Sequence, residues 1–199
     1  NILISAFGRN GDFDKVDECL NEMKLNNIAL QIITYSTLIN AYGKKNDLDK
    51  VEEYLNEMKL NNIEPNGVIH NTLISVFGKN GDFDKIDEYV NEMKSNNIKP
   101  NIFIYNTLIS IFGKNGYFDK IDECVSEMKS NNIEPNGVMY NTLITLYGKN
   151  DDFDKVEEII NEMESNEIVP YHVLRRTINR VKKKDFWLLH RKATWMNEL

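Results

Sequence analysis

Several residue types that commonly fix a fold or build a reactive centre are scarce in this chain. Its 199 residues hold two cysteines, four prolines, three histidines and two tryptophans. Cys19 and Cys124 occupy the same place in segments three repeats apart, on what is read below as a buried helix face. Helices stacked at intervals of about 8–10 Å would hold them too far apart for a disulfide, and their isolated spacing is no metal motif, so both read as small buried hydrophobes. No apolar run approaches the length of a membrane-crossing helix, so no membrane partner is expected. A basic excess is also missing: the net charge is −7, which by itself argues against a polyanionic partner. An initiator methionine is absent too. The chain opens at Asn1 in the middle of a repeated pattern, which leads us to expect further sequence upstream.

What is present is repetition. Residues 67–101 and 102–136 differ at eight positions and agree at twenty-seven. The same frame returns as STLINAYGKKNDLDKVEEYLNEMKLNNIEPN from Ser36 and NTLITLYGKNDDFDKVEEIINEMESNEIVPY from Asn141. Self-similarity at a fixed period signals stacked supersecondary units in place of one globular core. The units are a partial repeat 1–31, four repeats 32–66, 67–101, 102–136 and 137–171, and a basic segment 172–199. Charge divides along the same line, since residues 1–171 carry −13 and residues 172–199 carry +6.

Within residues 67–101, Asn71–Phe77 is a short apolar-rich helical run, and Gly78-Lys79-Asn80-Gly81-Asp82 reads as the turn that ends it. Asp84 is the expected N-cap of a second helix, with Asp87 in the capping-box place. Ile86, Tyr89, Val90 and Met93 then follow the spacing of an amphipathic helix. Asn96-Asn97 ends it and Pro100 bars its continuation. No stretch alternates at period two, so the chain is expected to be all-α. Leu38, Leu73, Leu108 and Leu143, with Met58, Met93, Met128 and Met163, are the expected shared core. His70 stands where sister repeats have Tyr35, Tyr105 and Tyr140, so it is expected to be packed and not a ligand. The 172–199 segment has two readings, a helical cap sealing the stack and a basic docking element carrying Arg175, Arg176, Arg180 and Lys182–Lys184.

A period of 35, N-T-L-I near the start, E-M-K late in the second helix and I-x-P-N at the close resemble the pentatricopeptide repeat family over Asn1–Tyr171. The resemblance implies a right-handed superhelical solenoid with a C-terminal capping segment, its first helices lining a concave face that binds single-stranded RNA, about one base per repeat. It also implies the residues that do so. Base selection falls to Ser36 with Asn66, Asn71 with Asn101, and Asn106 with Asn136. Asn1 and Asn141 are the selectors of the outer repeats, closed by Gln31 and Tyr171, whose bases the correspondence does not assign. The family's correspondence then predicts 5′-N-A-Y-Y-N-3′. Base clamps are Ile33, Val68, Phe103, Val138 and Val173, and phosphate contacts are Arg9, Lys44, Lys79, Lys114 and Lys149.

Each assignment has a plainer rival. Asparagine is a good cap and turn residue, and a cation in a helix's last turn complements the helix dipole without any ligand. Some family members carry a deaminase, whose zinc chemistry needs H-x-E and C-x-x-C, and neither motif occurs here. No enzyme, metal or cofactor is expected. The expected role is an organellar RNA-binding adaptor, in the mitochondrion ahead of the plastid, acting in RNA processing, stability or translation. The alternative is a structural subunit of an organellar ribonucleoprotein such as the mitochondrial ribosome, with the tail on ribosomal RNA and ribosomal proteins.

Overall fold

The computed structural model describes residues 2–168. Asn1, Tyr171, Val173 and the 172–199 segment, and the expectations attached to them, lie outside the described residues. The chain divides into two compact units, Asn1–Thr107 and Leu108–Leu199. Ten helices are described: α1 (Ile2–Asn10), α2 (Phe13–Leu25), α3 (Ile32–Lys45), α4 (Leu48–Leu60), α5 (Gly67–Lys79), α6 (Phe83–Ser95), α7 (Ile102–Lys114), α8 (Phe118–Ser130), α9 (Gly137–Lys149) and α10 (Phe153–Ser165). No strand occurs among the described residues. The unit boundary falls inside α7.

Odd-numbered helices pair with the even-numbered helices that follow them in four cases. In the first unit α1 packs on α2, α3 on α4 and α5 on α6, while α1, α3 and α5 also pack in series. In the second, α9 packs on α10. The odd helices are apolar on most of their circumference because they meet neighbours on both sides: α5 buries Ile69, His70, Leu73, Ile74, Val76 and Phe77. The even helices bury one stripe only, in α6 Ile86, Tyr89 and Met93. All eight leucines and methionines expected in the core are buried. Cys19 is half-buried, Cys124 is buried, and neither is in a disulfide.

Two corrections to the expected punctuation follow from the backbone. Gly78 is not part of a turn, for α5 continues through it to Lys79 and buries it. The turn proper is Asn80-Gly81-Asp82. Gly81 takes φ +74 there, as Gly11 (+77) and Gly116 (+80) do in theirs, while Asn46 and Asp151 serve at +66 and +57. The N-cap of α6 is Asp82, not Asp84: its carboxylate accepts from the Lys85 amide at 3.1 Å. Asp47 and Asp152 do the same for α4 and α10. Asp84 lies in the first turn, where an acid still complements the dipole. The other end is as expected, since Asn97 closes α6 in the left-handed region at φ +56.

The glycines near the ends of α1, α3 and α7 have a packing role. A Cβ on Gly8 would sit 2.6 Å from the Ala41 Cβ, and one on Gly43 would collide with the branched side chain of Val76. Backbones of successive odd helices therefore approach closely at these points. Behind them, phenols bind consecutive repeats together. Tyr42 donates to Asp17 at 2.7 Å, and Tyr147 to Asp122 at 2.8 Å. Tyr140 donates to Glu162 at 3.1 Å and accepts from Asn166 at 2.8 Å. Burial pushes the Tyr140 phenol up to about 12, which keeps it a neutral donor.

Gly43→Ala is expected to lower stability by about 1–3 kcal/mol, because Val76 is stiff and cannot yield. Chemical denaturation measures it, and an unchanged midpoint would show that the helices can separate without penalty.

Candidate functional site

Once packing, capping and ion pairing are accounted for, one face of the odd helices is left over. Ile33, Val68, Phe103 and Val138 each follow the first residue of their helix, and they are 58%, 62%, 70% and 52% exposed. Other apolar side chains of these helices, such as Ile69 and Leu73 of α5, are fully buried. Four large hydrophobes at the same helical position have no part in the core.

Three residues on stand Ser36, Asn71, Asn106 and Asn141, all half-buried. They are the fifth residues of their helices, so they belong to the second turn. The Oδ1 atoms of Asn71, Asn106 and Asn141 are buried and accept no hydrogen bond. The Asn141 amide nitrogen does donate, to the Gly137 carbonyl. None of the three is a cap. A buried acceptor without a donor costs about 1–3 kcal/mol of desolvation, and here it recurs at each 35-residue step.

The closing asparagines are different. Asn66 Oδ1 accepts from the amides of Val68 (3.0 Å) and Ile69 (3.1 Å). Asn101 accepts from Phe103 and Ile104, at 3.0 and 3.2 Å, and Asn136 from Met139 at 3.0 Å. The capping reading is true of these three, whose oxygens are committed to the backbone. Their exposed amide groups are what remains to meet a ligand.

The cations divide just as sharply. Arg9, Lys44, Lys79, Lys114 and Lys149 end the odd helices, exposed, and none forms an ion pair with another described residue. On the even helices Lys15, Lys50, Lys85, Lys120 and Lys155 are all paired, with Asp12, Glu53, Glu52 and Glu88, Glu123, and Asp122 and Glu158 respectively. Lys45, beside Lys44, lies over the Phe13 ring at 4.5 Å.

In the first unit a cavity of about 360 Å³ brings the three kinds of residue together: Ser36, the flanking Ile33 and Val68, and the cations Arg9 and Lys44. It also contains Asn40, one turn beyond Ser36, which sequence reasoning missed. Its signal was available, since sister repeats carry Ser5, Ser75, Ser110 and Thr145 at that place. Thr37, Thr72, Thr107 and Thr142 were missed as well. Each hydroxyl donates to the carbonyl of the exposed hydrophobe four residues back, at 2.7–2.9 Å. His70 is fully buried, its Nδ1 3.0 Å from the Asn66 carbonyl, which agrees with a packing role. Among the described residues no group of three or more His, Cys, Asp or Glu side chains could hold a metal ion, and no helix is long and apolar enough to cross a membrane.

The two sets of asparagines should behave oppositely on mutation. Asn66→Ala removes a cap and is expected to cost about 1 kcal/mol. Asn71→Leu removes an unpartnered acceptor and is expected to leave stability unchanged or raise it. Urea unfolding of both variants checks this, and an equal loss in the two would mean that Asn71 is a structural residue after all.

Comparison with known proteins is consistent with the repeat. The family description "Pentatricopeptide repeat domain" matches residues 18–80, 53–115 and 123–174; "PPR repeat family" matches 100–138 and "PPR repeat" 1–28. Among curated proteins the chain has no significant match. Among solved structures it is similar to the pentatricopeptide repeat protein PPR10 from maize, at TM-score 0.78 and 21% identity over 98% of this chain and 28% of that one. PPR10 in complex with an 18-nt psaJ RNA element matches at TM-score 0.75 and 23% identity, over 90% of this chain and 26% of that one. The PPR domain of Arabidopsis thaliana protein-only RNase P 1, in complex with tRNA, matches at 0.71 and 17% identity, over 90% of this chain and 95% of that one. The chain thus spans little more than a quarter of the PPR10 chain, and these likenesses are of fold. Repeats matched over most of the sequence, paired helices and the shared all-α solenoid fold together show that the chain belongs to the pentatricopeptide repeat family.

Proposed function

We propose that this chain is an adaptor that binds single-stranded RNA along the exposed face of its odd helices, one base per repeat, and does not cleave it. The observation that carries this reading is the recurrence of a buried, unpartnered Asn oxygen three residues after an exposed hydrophobe. A base stacked on Val68 or Phe103 would present its Watson–Crick edge near Asn71 or Asn106. There the N4 amino group of cytosine or the N3–H of uracil supplies the donor those oxygens lack. Ser36 is shorter and leaves room for a purine, in agreement with adenine at that repeat. The reading is 5′-N-A-Y-Y-N-3′, with Asn66, Asn101 and Asn136 offering their free amide groups from the adjoining loops. Arg9, Lys44, Lys79, Lys114 and Lys149 contact phosphate, which lets an acidic chain hold a polyanion through the one unpaired cation that ends each repeat's first helix. Support from relatives is of the same kind, since PPR10 and the RNase P PPR domain were each solved with RNA bound. We further propose that this work takes place in an organelle, the mitochondrion first, in keeping with the family resemblance.

Equilibrium binding of short RNAs tests the selective reading. An oligonucleotide containing AYY in register should bind about tenfold tighter than its permutations. Equal affinities would refute base selection and favour a scaffold that holds RNA without reading it. Lys79→Ala should weaken every sequence alike and flatten the log–log salt dependence by about 0.7. A slope that does not move would assign Lys79 to the helix dipole alone.

A further inference from the structure

On α9, the face that carries Tyr140, Leu143 and Tyr147 borders a cavity of about 470 Å³ between α8 and α10, and this cavity is not used by the reading above. Its walls differ from those of two sister grooves. In the first unit the groove between α2 and α4 has Leu20, Asn21 and Tyr54 at the corresponding positions, and that between α4 and α6 has Leu55, Asn56 and Tyr89. Between α8 and α10 these become Val125, Ser126 and Ile159. All three exchanges remove bulk, from both walls at once, and all three residues line the cavity.

The missing tyrosine defines the shape of what would fit. Tyr42 is flanked by two rings, Phe13 at 5.0 Å and Tyr54 at 5.4 Å between centroids. Tyr147, its counterpart, keeps Phe118 at 5.2 Å but has Ile159 where the second ring would be. The Tyr147 hydroxyl donates to Asp122, and its oxygen accepts no hydrogen bond from another described residue. A phenol in the cavity would stack on Tyr147, restoring the second ring contact, and donate to that oxygen.

The rim says who brings the phenol. Asp122, Glu158 and Glu162 surround the mouth, with Lys129 and Lys155 already paired to them, so the rim keeps an acidic excess. The Asp122 and Glu158 side chains are 54% and 66% exposed, so a macromolecule can reach them. α10 adds Asp154, Glu157 and Glu164. We infer that the cavity between α8 and α10 is a docking site for a tyrosine side chain of a partner protein, presented among basic residues. The partner supplies in trans the ring that repeats 32–66 and 67–101 supply from their own second helix, where repeats 1–31 and 102–136 carry Cys19 and Cys124.

The test uses the full chain, p-cresol as the bare phenol, and an end-blocked Lys-Lys-Tyr-Lys-Lys peptide with its Ala counterpart, all by ligand-observed NMR titration. Wild type should bind p-cresol saturably, and the Tyr peptide at least tenfold tighter than the Ala peptide. Ile159→Tyr refills the cavity and should abolish both. If that variant misfolds by circular dichroism, Val125→Leu with Ser126→Asn narrows the cavity from the other wall and should weaken both at least tenfold. Tyr147→Phe should reduce the preference for p-cresol over toluene about fivefold, the worth of one neutral hydrogen bond. Equal binding of the Tyr and Ala peptides would leave only charge attraction and overturn the proposal. So would p-cresol binding that survives the cavity-filling variants, or no p-cresol binding at all.

Discussion

The structure depends on how closely successive odd helices approach one another. Gly8 against Ala41 and Gly43 against Val76 leave no room for a side chain, and in the second unit Gly113 meets Leu146 in the same way. A close, repeated contact at one end of each helix sets its rotation. With the rotation set, the positions that face the neighbour and those that face outward are the same in every repeat. The exposed hydrophobes and half-buried asparagines fall into register as a consequence. A larger residue at the contact would turn or displace the helix and move them out of line.

That constraint separates two kinds of polar chemistry. On the even helices most lysines are answered by carboxylates, and carboxylates in turn take the phenols (Asp17, Asp122 and Glu162) and the first-turn amides (Asp47, Asp82 and Asp152). These contacts are individually small, since exposed ion pairs contribute at most about 1 kcal/mol, but they occupy the even-helix lysines that a polyanion would otherwise use. On the odd helices the pattern reverses. Asparagine oxygens lack donors, cations lack anions and hydrophobes lack cover. Folding alone gives no reason to keep such groups, whereas a bound base and its phosphate would answer all three.

Much of this was legible before any coordinates. Helix pairs, the Leu and Met core and the buried His70 follow from periodicity, because a helix that must bury one stripe shows that stripe at fixed spacing. Local sequence failed where two explanations share a residue type. Gly78 reads as a turn residue because glycine favours turns, yet it ends up inside α5. Asp84 reads as a cap because it precedes the apolar stripe, but Asp82, two residues earlier, makes the bond. Asn66 and Asn71 look alike in the sequence, and only the backbone around them shows that one oxygen is bound and the other is not.

Asn40 and the cavity bordered by Val125, Ser126 and Ile159 show the same limit from another side. Each is a departure from a repeat, visible as a letter change and silent about its consequence. By itself the sequence determined the repeat, the helical class, the core and which positions could carry recognition, because these rest on spacing and composition along the chain. Tertiary structure decided which asparagine oxygens lack a donor, which lysines lack a carboxylate, and where three small losses of bulk add up to one cavity. Those properties belong to pairs of residues about 20 to 35 positions apart, and only packing brings them together.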